Sequence, residues 1–415
     1  MNGAINHTAK TDLLMLSKIF LFFAFILLMF NGRGVTNSAF VFNISPSISY
    51  TLAFIFECLA LIFALYTYKI KLDKVIFFLY IQIIVYTFSL LVSQDALAGM
   101  KYYLAALEAL VIYTFCMVVP TEKLNKSILY LAEVSIVIIV FYTVSVALTV
   151  LSMGMADYLV KGNIIIPIGE SNYIASFLNM FLVIVLGLEY VKARKIIFVL
   201  LIAIGITFTR SDVGILLFGS ILIFEYGIKL LRNKSIKEIA KSIVVIVAIV
   251  LVIIKAFDIF SNYFWRYIAV LNALFRGGAA GIEEASNGRI AIYKESFRMF
   301  TESPILGYGL NYSENLEALS HNLIFDILLK GGLINFLIFI CYMSIILTRL
   351  YKYRNQSIEV KTIWKMLIVV LLNAMVEPTL GSFNFNFFFW IFCGVGMANS
   401  RRLIKDYGKI NSPNV

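Results

Sequence analysis

Few residues in this chain have the means to do chemistry, and three stand out. His321 is one of only two histidines in 415 residues; the other, His7, lies in a polar N-terminal stretch. Imidazole is the neutral base whose pKa lies nearest physiological pH, so His321 could take a proton from a hydroxyl group. The plain alternative is an interfacial residue next to Ser320 or Asn322, either of which could cap the helix that follows. Arg210 stands in the run TFTRSD between two apolar stretches. Guanidinium presents a planar fork of donors that suits a phosphate or diphosphate, although the same residue could simply end a span with its head group in water. Arg289 follows Ser286-Asn287, a helix N-cap signal, and so falls in a first turn whose free amides favour an anion. Its bland reading is a solvated arginine on an interfacial helix.

Acids are fewer still. Glu57, Glu108 and Glu377 fall within or at the ends of apolar runs, where a carboxylate is costly unless it faces a polar interior. Glu57 could pair with Lys101, and Glu377, near the outer end of its span, could line an acceptor site; structural ion pair and substrate contact are both open for these acids. No Asp-x-Asp pair, histidine cluster or carboxylate triad occurs in the outer segments, so neither metal chemistry nor a cofactor is expected. Cys58, Cys116, Cys341 and Cys393 all sit in apolar runs, against a disulfide framework or a zinc cluster.

The elements that must position these residues are membrane spans. The chain is 61% apolar and 14% charged, against roughly a quarter charged in soluble domains. A spanning helix needs about 20 mostly apolar residues. Such runs occur near 13–30, 47–68, 75–93, 100–119, 127–150, 172–190, 196–209, 213–228, 242–257, 322–348, 363–377 and 385–399. The expected fold is therefore all-α and polytopic, with about 12 transmembrane helices. Several runs are short, which leaves room for ten or eleven spans and a re-entrant segment. The first run lacks a small-residue cleavage site and reads as a retained span.

Basic residues set the orientation. Alternate loops hold Lys69/Lys71/Lys74, Lys123/Lys126, Lys192/Arg194/Lys195, the 229–241 cluster, the 349–365 cluster and the C-terminal 401–409 cluster. With Lys10 and Lys18 these make up about two thirds of the 35 lysines and arginines. Both termini are thus expected in the cytoplasm, and residues 258–320 form a long outer loop. The net charge of +11 reads as topology and attraction to anionic membrane lipid, not as a nucleic-acid footprint. Within 287–332 an amphipathic helix is expected from Arg289, with Ile290, Tyr293, Phe297 and Phe300 on one apolar face. The turn Pro304–Gly309 and the pair Gly331-Gly332 read as architecture. The whole chain, 1–415, reads as a single integral membrane domain.

Taken together these motifs resemble the bacterial O-antigen polymerase/ligase family of membrane glycosyltransferases. The resemblance covers roughly residues 160–345. It rests on Glu170-Ser-Asn172-Tyr-Ile-Ala175 before a span, Thr209-Arg210-Ser211 at an outer hairpin and Gly288-Arg289 opening the loop helix. Pro304-Ile-Leu-Gly307-Tyr-Gly309, His321-Asn322 and Gly331-Gly332-Leu333 follow in that order. The resemblance implies metal-independent, inverting transfer of a glycan from undecaprenyl diphosphate at the periplasmic face of the inner membrane. Arg210 and Arg289 would hold the donor diphosphate and stabilise the leaving group, and His321 would position or deprotonate the acceptor hydroxyl. Glu170, Asn172, Asn322 and Glu377 are the further substrate-binding candidates.

A polymerase joins lipid-linked repeat units, with a chain-length regulator as a further candidate partner, whereas a ligase moves the finished polymer to lipid A–core. Leu319 occupies the place where ligases often carry a second histidine, which favours the polymerase. A transporter of the same lipid-linked oligosaccharide would call for repeated halves and helices broken near the midplane. No internal repeat is apparent, and none of the six prolines falls clearly mid-span.

Overall fold

A computed structural model describes residues 7–33, 44–70, 72–188, 191–232, 289–313 and 320–410. Regular structure among the described residues is helical apart from one hairpin of two two-residue strands. In order come α1 (His7–Met29), α2 (Pro46–Thr67), α3 (Lys74–Val92), α4 (Ala96–Val118), α5 (Thr121–Met153) and the short α6 (Met155–Leu159). Strands β1 (Ile165–Ile166) and β2 (Gly169–Glu170) pair antiparallel and lead into α7 (Ser171–Gly187), α8 (Lys192–Thr209) and α9 (Asp212–Arg232). Then follow α10 (Arg289–Glu302), α11 (Leu323–Tyr353), α12 (Ile358–Ala374) and α13 (Phe383–Ile410).

Eleven of the twelve apolar runs coincide with helices. The run 242–257 lies outside the described residues, as do most of the 258–320 loop and the Ser286-Asn287 cap. Among the described residues six helices are long and apolar enough to cross a membrane: α1 to α5 and α11. The chain is a multi-pass, all-α membrane protein.

Composition explains which helices sit where. On α7 nearly every residue from Ile174 to Leu186 is buried, and Phe385, Phe387, Phe388 and Phe389 of α13 are likewise enclosed. Helices apolar on all sides belong in an interior. Their rings interlock edge to face, Phe177 against Phe385 at 4.9 Å and Phe181 against Phe388 at 5.3 Å between centroids. By contrast α1 to α4 expose large apolar side chains such as Phe22, Tyr66 and Leu91, a surface suited to hydrocarbon and not to water.

Alternating helix direction brings particular ends together. The C-terminal ends of α1, α3, α8 and α12 meet the N-terminal ends of α2, α4, α7, α9, α11 and α13 on one side. Arg33, Lys101, Asn172, Arg210, His321 and Glu377 all fall there. Lys69, Lys74, Lys123, Lys192, Arg194, Lys361 and Arg401 fall at the opposite ends.

Two motifs that look separate in sequence form one joint. The α11 helix is broken at Gly331 (φ −154°, ψ 20°) and Gly332 (φ 65°, ψ −164°). The Pro304–Gly309 turn docks into the break: Leu333 N donates to Pro304 O at 2.8 Å, and Tyr308 N donates to Leu329 O at 2.7 Å. A Cβ on Gly332 would overlap the Ile305 carbonyl, and one on Gly307 would overlap the Leu329 carbonyl. Ser89 of α3 completes the joint by donating to Lys330 O at 2.5 Å.

Two expectations need correction. The buried face of α10 carries Ser296 and Met299, with the Tyr293 ring tilted against Phe325 at 5.6 Å between centroids, while Phe297 is 58% exposed. Helical spacing left the choice of face to the partner, and α11 selected the 293–296–300 side. Glu57 faces Glu108, not Lys101. Since α2 and α4 start at the same end, Lys101 lies seven residues before Glu108 and so about 10 Å shallower than the pair.

Gly332→Ala should loosen the joint, costing about 1–3 kcal/mol for a side chain forced into a left-handed conformation. Gly219→Ala is the control, since nothing lies within 4 Å of its added methyl. Thermal unfolding in detergent should drop for the first and stay level for the second.

Candidate active site

His321 owes its position to a cap. The Asn322 side chain accepts from Ile324 N at 2.9 Å and starts α11, while its amide donates to Met375 O at 3.1 Å. That leaves His321 as the turn residue, with φ 49°. Backbone on either side is held: Tyr293 Oη donates to His321 O at 3.3 Å, and Ser320 N donates to Tyr312 Oη at 3.3 Å. Arg210, at φ 59°, is the other non-glycine residue with positive φ among the described residues. Left-handed backbone in bulky residues costs energy and persists where its surroundings enforce it. Two of the three residues singled out by chemistry thus sit on enforced corners.

Glu377, in the turn after α12, connects them. Its Oε2 lies 3.4 Å from His321 Nδ1 and accepts from Asn172 Nδ2 at 3.1 Å. Asn172 Oδ1 in turn accepts from Ser211 Oγ at 2.8 Å. Ser211 Oγ also accepts from Gly214 N at 3.1 Å, capping α9. One chain of polar contacts therefore runs from the α8–α9 corner through the start of α7 to the imidazole. Glu377 is 5% exposed, so little water competes for its contacts.

A cavity of about 430 Å³ opens beside this chain, lined by His321, Glu377, Asn172 and Glu170 together with Arg33, Lys101 and Lys330. Asn322 supports the wall from behind through its cap. Arg33 pairs with Glu170 at 3.3 Å. Arg210 and Arg289 are not among the lining residues. Arg210 is 4% exposed, with its guanidinium 5.0 Å from the centre of the Tyr158 ring and donating to the Tyr158 carbonyl. Arg289 opens α10 in a half-buried position. The described wall therefore holds the histidine and the carboxylate together but brings neither arginine to them.

Sequence reasoning missed the cavity floor. Lys330 Nζ pairs with Asp326 Oδ2 at 2.8 Å, and Tyr312 Oη donates to Asp326 Oδ1 at 2.8 Å. All three residues are at most 3% exposed. Burial and then the Asp326 charge push the Tyr312 phenol well above its ordinary pKa, so it remains a donor at neutral pH. Opposite charges four residues apart inside an apolar run, HNLIFDILLKGG, were the available signal. Among the described residues no group of three or more His, Cys, Asp or Glu side chains is arranged to hold a metal ion.

Removing Asp326 alone would strand a buried ammonium, at a cost of about 3–5 kcal/mol. Asp326→Leu should therefore unfold at lower temperature, and adding Lys330→Met should recover most of the loss. A double variant no more stable than the single one would show that the pair is not what holds the floor.

Comparison with known proteins bears on part of this arrangement. No curated protein matches the chain. Residues 196–340, which run from α8 through the His321 corner into α11, match the family model described as O-antigen ligase. The matched stretch is about a third of the chain, and over it the chain is similar to the O-antigen polymerase/ligase family.

Proposed function

We propose that the protein is an O-antigen polymerase, joining undecaprenyl-diphosphate-linked repeat units at the periplasmic face of the inner membrane. The family domain supports a role in assembling lipopolysaccharide glycans. The observation that carries the enzymatic reading is His321 beside Glu377 on the wall of a 430 Å³ cavity, a volume in the range of small-molecule sites. In this reading both termini are cytoplasmic, because the lysine-rich helix ends lie opposite the cavity.

The chemistry needs a base and an orienter. With the Glu377 carboxylate facing Nδ1, the proton of a neutral imidazole is favoured on that nitrogen, leaving Nε2 as the base. An acceptor sugar hydroxyl gives its proton to Nε2 while its oxygen attacks the anomeric carbon of the donor sugar. The bond from that carbon to the lipid diphosphate breaks, and the diphosphate leaves with the electron pair. Attack opposite the leaving group inverts the anomeric centre, and no metal enters the scheme.

Arg210 and Arg289 are proposed as diphosphate ligands on the family resemblance. The enforced corner at Arg210, next to Ser211 of the polar chain, supports that role, and its burial against Tyr158 weighs against it. Leu319 in place of a second histidine favours polymerase over ligase. Undecaprenyl-linked oligosaccharide is the partner implied, and a chain-length regulator would act from outside this chain.

Replacing His321 with Ala should cut transfer by about 10²–10⁴, the usual contribution of a positioned base. On a gel of surface polysaccharide the cell should show core bearing one repeat unit, with the protein still present in the membrane. Glu377→Gln should weaken but not abolish the ladder, and Arg210→Ala and Arg289→Ala should abolish it. Bare core with accumulated lipid-linked polymer would point to a ligase instead, and a normal ladder from His321→Ala would remove the enzymatic reading.

A further inference from the structure

A second cavity lies toward the lysine-rich end of the bundle, away from His321. Its volume is about 330 Å³, and α1, α4, α5 and α13 contribute Phe22, Phe25, Cys116, Tyr130, Val134 and Ile391 to its walls. Phe25, Cys116 and Ile391 are enclosed, whereas Phe22, Tyr130 and Val134 are exposed. The cavity is therefore a crevice that opens sideways on the outer surface of the bundle, where a membrane protein meets hydrocarbon. Among the described residues that line it, Lys18 alone is charged.

Lys18 falls inside the apolar run 13–30, where an ammonium group is costly unless its stem carries it to polar partners. Its Nζ donates to Lys123 O at 2.9 Å and to Ser127 Oγ at 3.3 Å, tying α1 to the start of α5 at one end of the crevice. Neither acceptor is charged, and an ammonium group has three donors. Lys123 Nζ donates to Tyr68 Oη at 3.4 Å, again a neutral partner. Among the described residues no carboxylate lies in ion-pair range of either lysine. The acids of α5 are taken elsewhere, Glu122 by Arg402 at 2.8 Å and Glu133 by Arg194. Asp12 of α1 precedes Lys18 by about 9 Å along the helix axis.

We propose that this crevice binds one phospholipid with an anionic headgroup, its phosphate at Lys18 and Lys123 and an acyl chain along Phe22, Phe25, Val134 and Ile391. The inference is independent of the proposed reaction, whose cavity lies at the other end of the bundle. Basic pockets between helices on the lysine-rich side are a recurrent mode of lipid headgroup recognition. A phosphate supplies the counter-charge that neither lysine has, and the apolar walls take up methylene groups. Charge also selects the headgroup, because a zwitterionic lipid would bring a further cation to a mouth that already holds two. A partner helix, about 10 Å across with its side chains, is too thick for this volume, whereas an acyl chain is a single file of methylenes.

Native mass spectrometry of the full chain in detergent micelles tests this, with phosphatidylglycerol and phosphatidylcholine of identical acyl chains as probes. Phosphatidylglycerol should bind about tenfold more tightly, as expected for a hydrogen bond to a charged partner. Lys18→Gln combined with Lys123→Gln should erase that preference, while Lys18→Arg, which keeps the charge, should retain it. Val134→Trp fills the crevice without touching a charge and should weaken binding of both lipids. Equal binding of the two lipids to the wild-type chain would overturn the proposal, by showing that the crevice holds hydrocarbon without regard to headgroup. A preference that survives the double lysine variant would overturn it as well, as would undiminished binding to Val134→Trp, which places the lipid elsewhere. A Lys18 that merely ties α1 to α5 would lower the unfolding temperature of the lysine variants yet give the wild-type chain no choice between the lipids.

Discussion

The arrangement depends on one carboxylate, Glu377, and on what a buried carboxylate requires. Removed from water, it must find donors or neutralise. It finds Asn172 at 3.1 Å and faces His321 at 3.4 Å, side chains from the starts of α7 and α11, and through Asn172 it reaches Ser211 at the α8–α9 corner. Four helix ends are thereby held in register around a single cavity. The same turn brings Glu377 Oε2 to 3.4 Å from the Nδ1 of the imidazole. Fold and proposed chemistry thus share a cause, since the carboxylate that joins the helix ends also faces the proposed base.

A second constraint acts on the backbone. His321 can stand with positive φ only because the Asn322 cap, the Tyr293 hydroxyl and the Tyr312–Ser320 contact fix the residues around it. Tyr312 in turn is anchored through Asp326 to Lys330, immediately before the Gly331-Gly332 break into which the Pro304–Gly309 turn packs. The turn, the helix break, the ion pair and the histidine corner are successive links of one support. Gly332, some way along the helix, is thereby joined to the cavity wall by continuous contacts.

Much of this was legible in the sequence, and the limits have physical causes. Apolar run length located the helices, because a span must satisfy its backbone internally and so announces itself over about 20 residues. His321, Asn322, Arg210 and Glu377 were identifiable as polar residues at the ends of those runs. Partnership was not identifiable. Nothing local shows that Asn172 meets Glu377, 205 positions away, or that Glu57 meets another acid. The floor pair Asp326–Lys330 carried a local signal, opposite charges one helical turn apart, yet its burial came from α3, α4 and the Gly381 turn. The buried face of α10 was open for a similar reason, as spacing defines a stripe and a neighbour decides which stripe is used.

The most direct measurement is an experimental structure of the chain bound to a lipid-linked oligosaccharide. The account predicts sugar density in the cavity beside α7 and α11, with an acceptor hydroxyl within hydrogen-bond reach of His321 Nε2 and Glu377 still against Nδ1. Substrate lodged elsewhere, with the imidazole turned away from Glu377 and the cavity empty of sugar, would contradict it.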